Sequence, residues 1–598
     1  MQKWKIAVAE EEQSHALAKQ LEAPLIIAQL LIQRGIREVD SARIFLDPQL
    51  KNLLDPEKLP DMDKASTRLM EAIQQQEPIV VYGDYDVDGV TGATILFSIL
   101  TQLGANVDYY IADRFTEGYG LSISRIQKLA EAKTRIIISV DIGCTAVAEA
   151  DLCRELGIDL IITDHHTLPR GKFPDAFALI HPKTPQSSYP NRDICGAGVA
   201  YKLAWALARK KEGTSKLSPE IREKMMEMLG LASLGTIADV VSLLGEENRS
   251  IVRYGLKVLS KSSHPGIRAL LEVAKVKPEI DSQQVAWKVA PLLNSAGRIA
   301  SAKEAFQLLS AKDSENAYKF STILKERNDS RKEIQQKVSD AAFQQYDQIY
   351  SRTDDLGIIL AEKEWHEGVL GIVAARIANC YYQPAIVLSI SEDEIAKGSG
   401  RSVAGINLLA ILENCQDLLI SFGGHPVALG LKIKSSMISI FRKRVSALLK
   451  QQLQMNPDLA QARRMVDLTI SLDQINPDLL YYLKCMEPFG EGNPKPVFFC
   501  SPVYLVGPPN VMGKDGTHLY FFVEQNQLQF RCVAFNMRER IKELQHIASH
   551  KLPMHLIFHP EYNEFGNRKT IELYIQDFSE SLENLLIQPP PVSCETPS

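Results

Sequence analysis

The sequence has no Cys-x-x-Cys pair; its nine cysteines, Cys144, Cys153, Cys195, Cys380, Cys415, Cys485, Cys500, Cys532 and Cys594, are scattered along the chain. That spacing excludes a structural zinc site and a disulfide framework, and it reads as reduced, mostly buried thiols. No apolar run is long enough to cross a bilayer, so no membrane association is expected. The opening residues, Met1 to Glu10, lack the charged segment followed by an apolar stretch that marks a secretory signal, which makes the cytoplasm the expected compartment. Excess positive charge is absent too: the formal net charge of -6 gives no global attraction for nucleic acid, although a local basic groove fits within an acidic total.

What is present is length. The 598 residues exceed one ordinary core, and 45% apolar with 23% charged residues describes a soluble globular chain of about three or four domains with clefts between them. Between Glu77 and Asp164 a short β-branched run, a polar turn and an amphipathic stretch alternate; the runs are Ile79 to Tyr82, Val107 to Ile111, Arg135 to Val140 and Asp159 to Thr163. This alternation predicts a parallel, doubly wound α/β sheet. From Ser314 to about Tyr350 the chain is dense in charge and nearly free of Gly and Pro, as one long exposed helix joining two lobes would be. A second α/β unit follows, and beyond Arg464 short strands broken by turns suggest a small barrel of the OB type. The expected division is a helical segment over 1–50, a catalytic α/β domain over 51–312, a connecting helix over 313–352, a second α/β domain over 353–453, the barrel over 454–580 and a disordered tail over 581–598.

The stretch Val80-Val-Tyr-Gly-Asp-Tyr-Asp-Val-Asp-Gly-Val places Asp84, Asp86 and Asp88 at alternate positions between an apolar strand and a helix. An isolated motif of this kind fits a solvated turn or a helix cap equally well. Two further strand ends change its standing: Asp141 follows Ile136-Ile-Ile-Ser-Val, and Asp164-His165-His166 follows Leu160-Ile-Ile-Thr. Crowded carboxylates repel unless a cation neutralises them, and oxygen with imidazole donors suits Mn2+ or Mg2+. Asp239, in Gly235-Thr-Ile-Ala-Asp, is a fourth candidate. Together they supply donors for two ions sharing a bridging carboxylate, the arrangement that supports in-line attack of water on a phosphate ester.

In this order and placement, Asp84-Tyr-Asp-Val-Asp-Gly, Asp141, Asp164-His-His and Asp239 resemble the four motifs of the DHH phosphoesterase superfamily. Further stretches, among them Arg114-Phe-Thr-Glu-Gly-Tyr-Gly, Asn294-Ser-Ala-Gly-Arg298, Gly398-Ser-Gly-Arg-Ser402, Gly423-Gly-His425 and Pro488-Phe-Gly-Glu-Gly-Asn-Pro494, resemble its RecJ family over roughly Gln20 to Phe578. The resemblance implies a metal-dependent exonuclease that degrades single-stranded DNA in the 5′-to-3′ direction during repair and recombination. It also implies a DHH domain and a DHH-associated domain followed by an OB domain, a monomeric state, and a single-stranded-DNA-binding protein and a helicase as partners. By position, Asp86, Asp88, Asp141, His165 and Asp239 would ligate two Mn2+ or Mg2+ ions with Asp141 bridging. Asp84 would be a ligand or stand behind one, Asp164 would orient a histidine, and His166 would face the scissile phosphate. Arg114 and Arg298 would meet the terminal phosphate and its neighbours, with Arg376, Arg401, Ser402 and His425 on the polymer backbone, each set in or beside a Gly-rich turn or helix start. Phe115, Tyr119, Trp365, Phe489, Phe530 and Tyr562 are candidate base-stacking residues.

The alternatives are a DHH enzyme acting on short RNA or cyclic dinucleotides and a non-catalytic replication scaffold. The added barrel argues against the first, and the complete ligand set against the second. Tyr82 stands where the pyrophosphatase branch carries a metal-binding histidine, which argues against a pyrophosphatase.

Overall fold

The computed structural model describes residues 3–8, 10–114, 117–118, 120–169, 171–214, 216–276, 279–350, 355–565 and 568–583. Phe115, Tyr119, Cys594 and the expected disordered tail beyond 583 lie outside them. The described residues divide into two compact units: one of Leu53–Val241 with Ser250–Gln461, the other within Met1–Asn52, Ser242–Arg249 and Ala462–Ser598.

In the first unit, strand β1 (Ile79–Gly83) is buried along its whole length, as an uninterrupted apolar strand must be when helices cover both faces of a parallel sheet. Helix α1 (Val87–Gln102) starts directly after it, because Asp86 Oδ1 accepts the amides of Asp88 at 2.9 Å and Gly89 at 3.1 Å. Strands β2 (Val107–Ile111), β3 (Ile136–Val140), β4 (Asp159–Thr163) and β5 (Ala178–Ile180) complete a five-stranded sheet in the order β2-β1-β3-β4-β5, every pair parallel. In a doubly wound sheet of this order the crevice opens where the order reverses, between β1 and β3. Helices α2 (Gly196–Glu212), α3 (Pro219–Ala238) and α4 (Ala290–Ile299) bring further residues to that crevice.

Helix α5 is one continuous helix, Ser314–Tyr350, but it is not exposed all round: Ala317, Ser321, Leu324, Arg331, Val338, Ala342 and Tyr350 are buried. These residues recur every three to four positions or at multiples of that spacing, so they form one inward stripe. Beyond it lie β6 (Ile358–Lys363), α6 (Leu370–Tyr381), β7 (Ala385–Ile390), β8 (Ile395–Arg401), β9 (Leu419–His425) and β10 (Ala428–Lys434). They form a mixed sheet in the order β9-β10-β8-β7-β6, parallel between β6 and β7 and antiparallel elsewhere. The glycine-rich stretches around Arg401 and His425 are therefore strands rather than turns. At Gly398 an added Cβ would stand 2.4 Å from Leu388 and 2.5 Å from the Val387 carbonyl, and at Gly400 it would meet Leu408 and Leu429 at 2.9 Å. Close packing, not turn geometry, excludes side chains there.

In the second unit, strands Phe498–Leu505, Met554–Phe565, Arg568–Ser579, Leu528–Ala534 and His518–Gln525 pair in sequence and close on themselves where Tyr504 meets Glu524 and Leu505 meets Val523. This is the five-stranded OB-type barrel that the strand count suggests. The N-terminal helices are part of it: Ile27, Leu30 and Leu31 share a core with Leu479, Met486 and Phe498, and Lys3–Ile6 pairs in parallel with Arg463–Val466. Phe489 is buried, and Phe530 and Tyr562 pack against the same core, which corrects the expectation that these three offer stacking surfaces. Arg249 is fully buried; its guanidinium donates to the carbonyls of Phe45, Leu243, Met486, Glu487 and Pro488 and lies 3.6 Å over the Phe45 ring.

Candidate active site

The carboxyl ends of β1, β3 and β4 and the end of α3 converge at the β1/β3 crevice. His165 Nε2 lies 3.2 Å from Asp141 Oδ1, 3.4 Å from Asp239 Oδ2 and 3.8 Å from Asp88 Oδ2. Two donor sets stand side by side, Asp84 with Asp86 and Asp141, and Asp88 with His165 and Asp239; Asp141 also approaches His165 and His166. The backbone is held to this purpose. Asp141 sits at φ 65°, a left-handed conformation that a non-glycine residue adopts when its surroundings impose it.

Burial, and then the charges of Asp88 and Asp86, push the Asp141 carboxyl well up. Asp84 rises through burial and then Asp86. By burial and then neighbouring carboxylates, Asp88 moves to about 6 and Asp239 to about 8. His165 falls to about 3, by burial and then His166, which leaves the neutral ring that a metal requires. Among the described residues Asp84 Oδ1, Asp141 Oδ1 and His165 Nε2 are buried without a hydrogen-bond partner. Buried donors that are unpartnered and mutually repelling call for a cation, and this mix of carboxylate oxygen and imidazole nitrogen fits a divalent one. Adding Mn2+ to chelator-treated protein is therefore expected to raise the thermal transition of this unit by on the order of 5 °C in scanning calorimetry. An unmoved transition would count against the donor sets.

Asp164 has a different task. Burial opposes its charge, but His166 and the Cys144 amide outweigh burial and hold the carboxyl below its ordinary value. Its Oδ1 contacts His166 Nδ1 at 2.9 Å and accepts the His165 amide at 2.7 Å, while Oδ2 accepts the Cys144 amide at 2.8 Å. It thus orients His166, whose ring burial alone would push down but which the Asp164 bond and charge raise to about 9. Sequence reasoning missed the support beneath these histidines. Beyond β5, Lys183 Nζ donates to the His165 carbonyl at 2.6 Å, and His181 Nε2 donates to the His166 carbonyl at 3.0 Å while its Nδ1 accepts the Lys183 amide. The signal was available, since His181 and Lys183 also follow a strand end.

The motif Cys195-Gly-Ala-Gly supplies room and charge. Asp88 accepts the amides of Gly196 at 2.6 Å and Ala197 at 2.9 Å, so the N-terminus of α2 faces its carboxylate. A Cβ on Gly196 would stand 2.5 Å from Asp141 Oδ1, and one on Gly235 2.4 Å from Asp88 Oδ1.

Beside the donors stands a group of arginines. Arg298 is pushed down to about 10 by burial and then by Arg114, with Arg331 and Arg401 adding to the effect. Burial and Arg114 also lower Arg401. Arg298 Nη1 donates to the Gly368 carbonyl at 3.3 Å, Arg401 Nη1 to the Gly400 carbonyl at 2.8 Å, and Arg114 lies 5.6 Å over Tyr85. Among the described residues none of Arg114, Arg298, Arg331 and Arg401 has a carboxylate within ion-pair distance. Arg331, which reaches this group from α5, was legible only as part of a charged helix. His425, at the end of β9, is pushed down by burial and then by His166 and Lys183.

Three other expectations diverge. Arg376 is exposed on α6, bonded to Gln336 and lying over Phe343, and is not brought to the cluster. Ser402, just past the end of β8, turns its hydroxyl to the Ile406 carbonyl at 2.7 Å and closes a local turn. Trp365 is buried in the core of the second lobe.

Comparison with known proteins agrees with this layout. Residues 78–236 match the DHH family N-terminal domain, 354–451 the DHHA1 domain and 466–577 the RecJ OB domain. The chain is 36% identical over 581 residues to the single-stranded-DNA-specific exonuclease RecJ of Bacillus subtilis, covering 97% of this chain and 71% of that one. It also superposes on the crystal structures of RecJ from Thermus thermophilus. For the Mn2+ complex the TM-score is 0.79 at 28% identity, covering 96% of this chain and 79% of that one. For the Mg2+ complex it is 0.73 at 27% identity, covering 96% and 78%. Three domain matches in chain order, and likeness to a curated relative over nearly the whole chain, show that the protein belongs to the RecJ family of single-stranded-DNA-specific exonucleases.

Proposed function

We propose that this chain is a metal-dependent exonuclease that hydrolyses single-stranded DNA from its 5′ end and releases nucleotides. One observation carries the reading: two donor sets, with Asp84 Oδ1, Asp141 Oδ1 and His165 Nε2 buried and unpartnered, stand beside four arginines that lack a carboxylate partner among the described residues. A cation site next to an anion site is what a phosphodiester undergoing hydrolysis needs.

Asp86, Asp88, Asp141, His165 and Asp239 would hold two Mn2+ or Mg2+ ions, with Asp141 between them and Asp84 joining or backing the set. When bound, the ions would polarise a phosphoryl oxygen and acidify the attacking water. The chain's own residues do the rest. Asp164 fixes the ring of His166 so that it faces the scissile phosphate. His181 and Lys183 hold the carbonyls of the two histidines and so limit their rotation. Arg114, Arg298, Arg331 and Arg401 take the terminal phosphate and the adjoining backbone, and His425 meets the same backbone. Arg376 and Ser402 contribute less directly, through the helix and turn that carry their neighbours. The setting is degradation of unwound strands in the cytoplasm during repair and recombination, by a monomer working with a single-stranded-DNA-binding protein and a helicase.

The test is digestion of single-stranded DNA labelled at the 5′ or the 3′ end, with and without Mn2+, beside duplex DNA and short RNA. Immediate metal-dependent release of the 5′ label as mononucleotide, confined to single strands, is expected. Digestion of short RNA alone would move the substrate to the small-molecule branch, and inactivity on all substrates would favour a scaffold. Arg401→Ala is expected to weaken binding of oligo(dT) more at low salt than at high, flattening the plot of log K against log salt by about 0.7. An unchanged slope in a fluorescence anisotropy titration would exclude that phosphate contact.

A further inference from the structure

The cleft continues past the arginines, and strand register fixes its floor. His425, Ala428 and Arg401 form one row across β9, β10 and β8; the next row is Gly423, Gly430 and Ser399, and the next is Ser421, Lys432 and Lys397. Arg401, of the arginine group beside the donors, stands in the first row, so the later rows lie beyond it along the sheet. Each row advances two residues, about 7 Å along an antiparallel strand, a step comparable to one nucleotide of an extended strand.

The middle row is nearly free of side chains, and the packing does not demand it. A Cβ on Gly423 would meet nothing within 4 Å, and one on Gly430 only the Gly398 carbonyl at 3.8 Å. Glycine here leaves the sheet face open for another molecule to approach the backbone. Tyr85 and Arg114 also line this cleft, whose volume of about 400 Å³ is that of a nucleotide-sized ligand site. At its far end Lys432 is exposed, with no hydrogen bond or ion pair among the described residues, while Lys397 pairs with Glu367 at 3.2 Å. One carboxylate against two ammonium groups leaves that end positive.

We propose that this cleft is a subsite for one extra nucleotide on the terminal side of the nucleotide being released, its phosphate held by Lys432 and Lys397. The inference rests on the exonuclease reading above. It means that a strand whose first linkage resists hydrolysis advances by one nucleotide and is cut at the second. The oxygen of water then bonds to phosphorus and the P–O3′ bond breaks. The departing O3′ takes a proton, leaving a dinucleotide with a 3′-hydroxyl and a strand beginning with a 5′-phosphate.

The experiment uses the full chain with Mn2+ and two 5′-labelled single strands: one unmodified, the other with a 3′-methylene phosphonate as its first linkage, which keeps the charge but has carbon in place of the departing O3′. Release of labelled dinucleotide from the modified strand is expected. In the Lys397→Ala/Lys432→Ala variant, the ratio of dinucleotide release from the modified strand to mononucleotide release from the unmodified one is expected to fall about ten-fold or more. A wild-type protein that digests the unmodified strand and leaves the modified one intact overturns the subsite, as does a variant with an unchanged ratio. Failure to digest the unmodified strand overturns the exonuclease reading, and this inference with it.

Discussion

Asp141→Asn is expected to lose hydrolysis of single-stranded DNA by at least about 10³-fold, because it removes a carboxylate that belongs to one donor set and stands 3.2 Å from His165 of the other. Asparagine is the appropriate replacement, since Asp141 holds φ 65° and asparagine tolerates that conformation far better than alanine. The same change should leave the metal-free fold at least as stable as the parent. Burial and the surrounding carboxylates disfavour the charge on Asp141, so removing it relieves repulsion rather than breaking a bond. Calorimetry with and without Mn2+ separates the two roles: an unshifted metal-free transition together with a reduced Mn2+-induced rise is expected. A variant that unfolds outright would show that Asp141 holds the sheet rather than the ions. Alanine at the same position should be equally inactive but somewhat less stable, through backbone strain alone.

The second large effect lies in the barrel unit. Arg249→Ala is expected to destabilise that unit by about 3–5 kcal/mol. Its guanidinium satisfies backbone carbonyls from three separate stretches, at Phe45, at Leu243 and over Met486 to Pro488, with no water to replace it in a fully buried site. Removing it strands several carbonyls at once, and a stranded buried acceptor loses its full desolvation energy. Lysine should not rescue, because one ammonium cannot reach acceptors that a planar fork reaches from both sides. Urea unfolding followed by barrel-unit tryptophan fluorescence, from Trp4 in its buried site, measures this directly. A midpoint within error of wild type would sink the argument. Metal-dependent cleavage by surviving folded molecules is expected to continue, since no proposed ligand belongs to this unit.

The motif Pro488-Phe-Gly-Glu-Gly-Asn-Pro494 illustrates what a resemblance leaves unsaid. It marks the family in sequence, yet in the structure it is a clasp. Asn493 donates to the carbonyls of Met486 and Pro488 and accepts from Arg34 at 2.7 Å. Nothing in its composition separates a glycine-rich phosphate loop from a glycine-rich clasp, because both need backbone freedom and exposed peptide groups. The stretch ending at Arg401 shows the same ambiguity in the opposite direction. Its glycines suggested a turn, but they lie in a strand packed too closely against Leu388, Leu408 and Leu429 for a Cβ.

By itself the sequence determined the parallel sheet and the positions of its metal donors, because both are written locally. A β-branched run followed within a few residues by Asp or His places each donor at a strand end, and a parallel sheet gathers its strand ends on one edge. The tertiary structure alone decided which of the many charged side chains gather around the cleft and its supports. Arg331 comes from a helix more than two hundred residues beyond Asp86, His181 and Lys183 act through the carbonyls of other residues, and Lys397 and Lys432 meet through antiparallel register. Arg376 and Ser402, promising by composition, turn elsewhere for the same reason. Charge and hydrogen bonding act over a few ångströms of space, and sequence separation carries no record of that distance until the chain has packed.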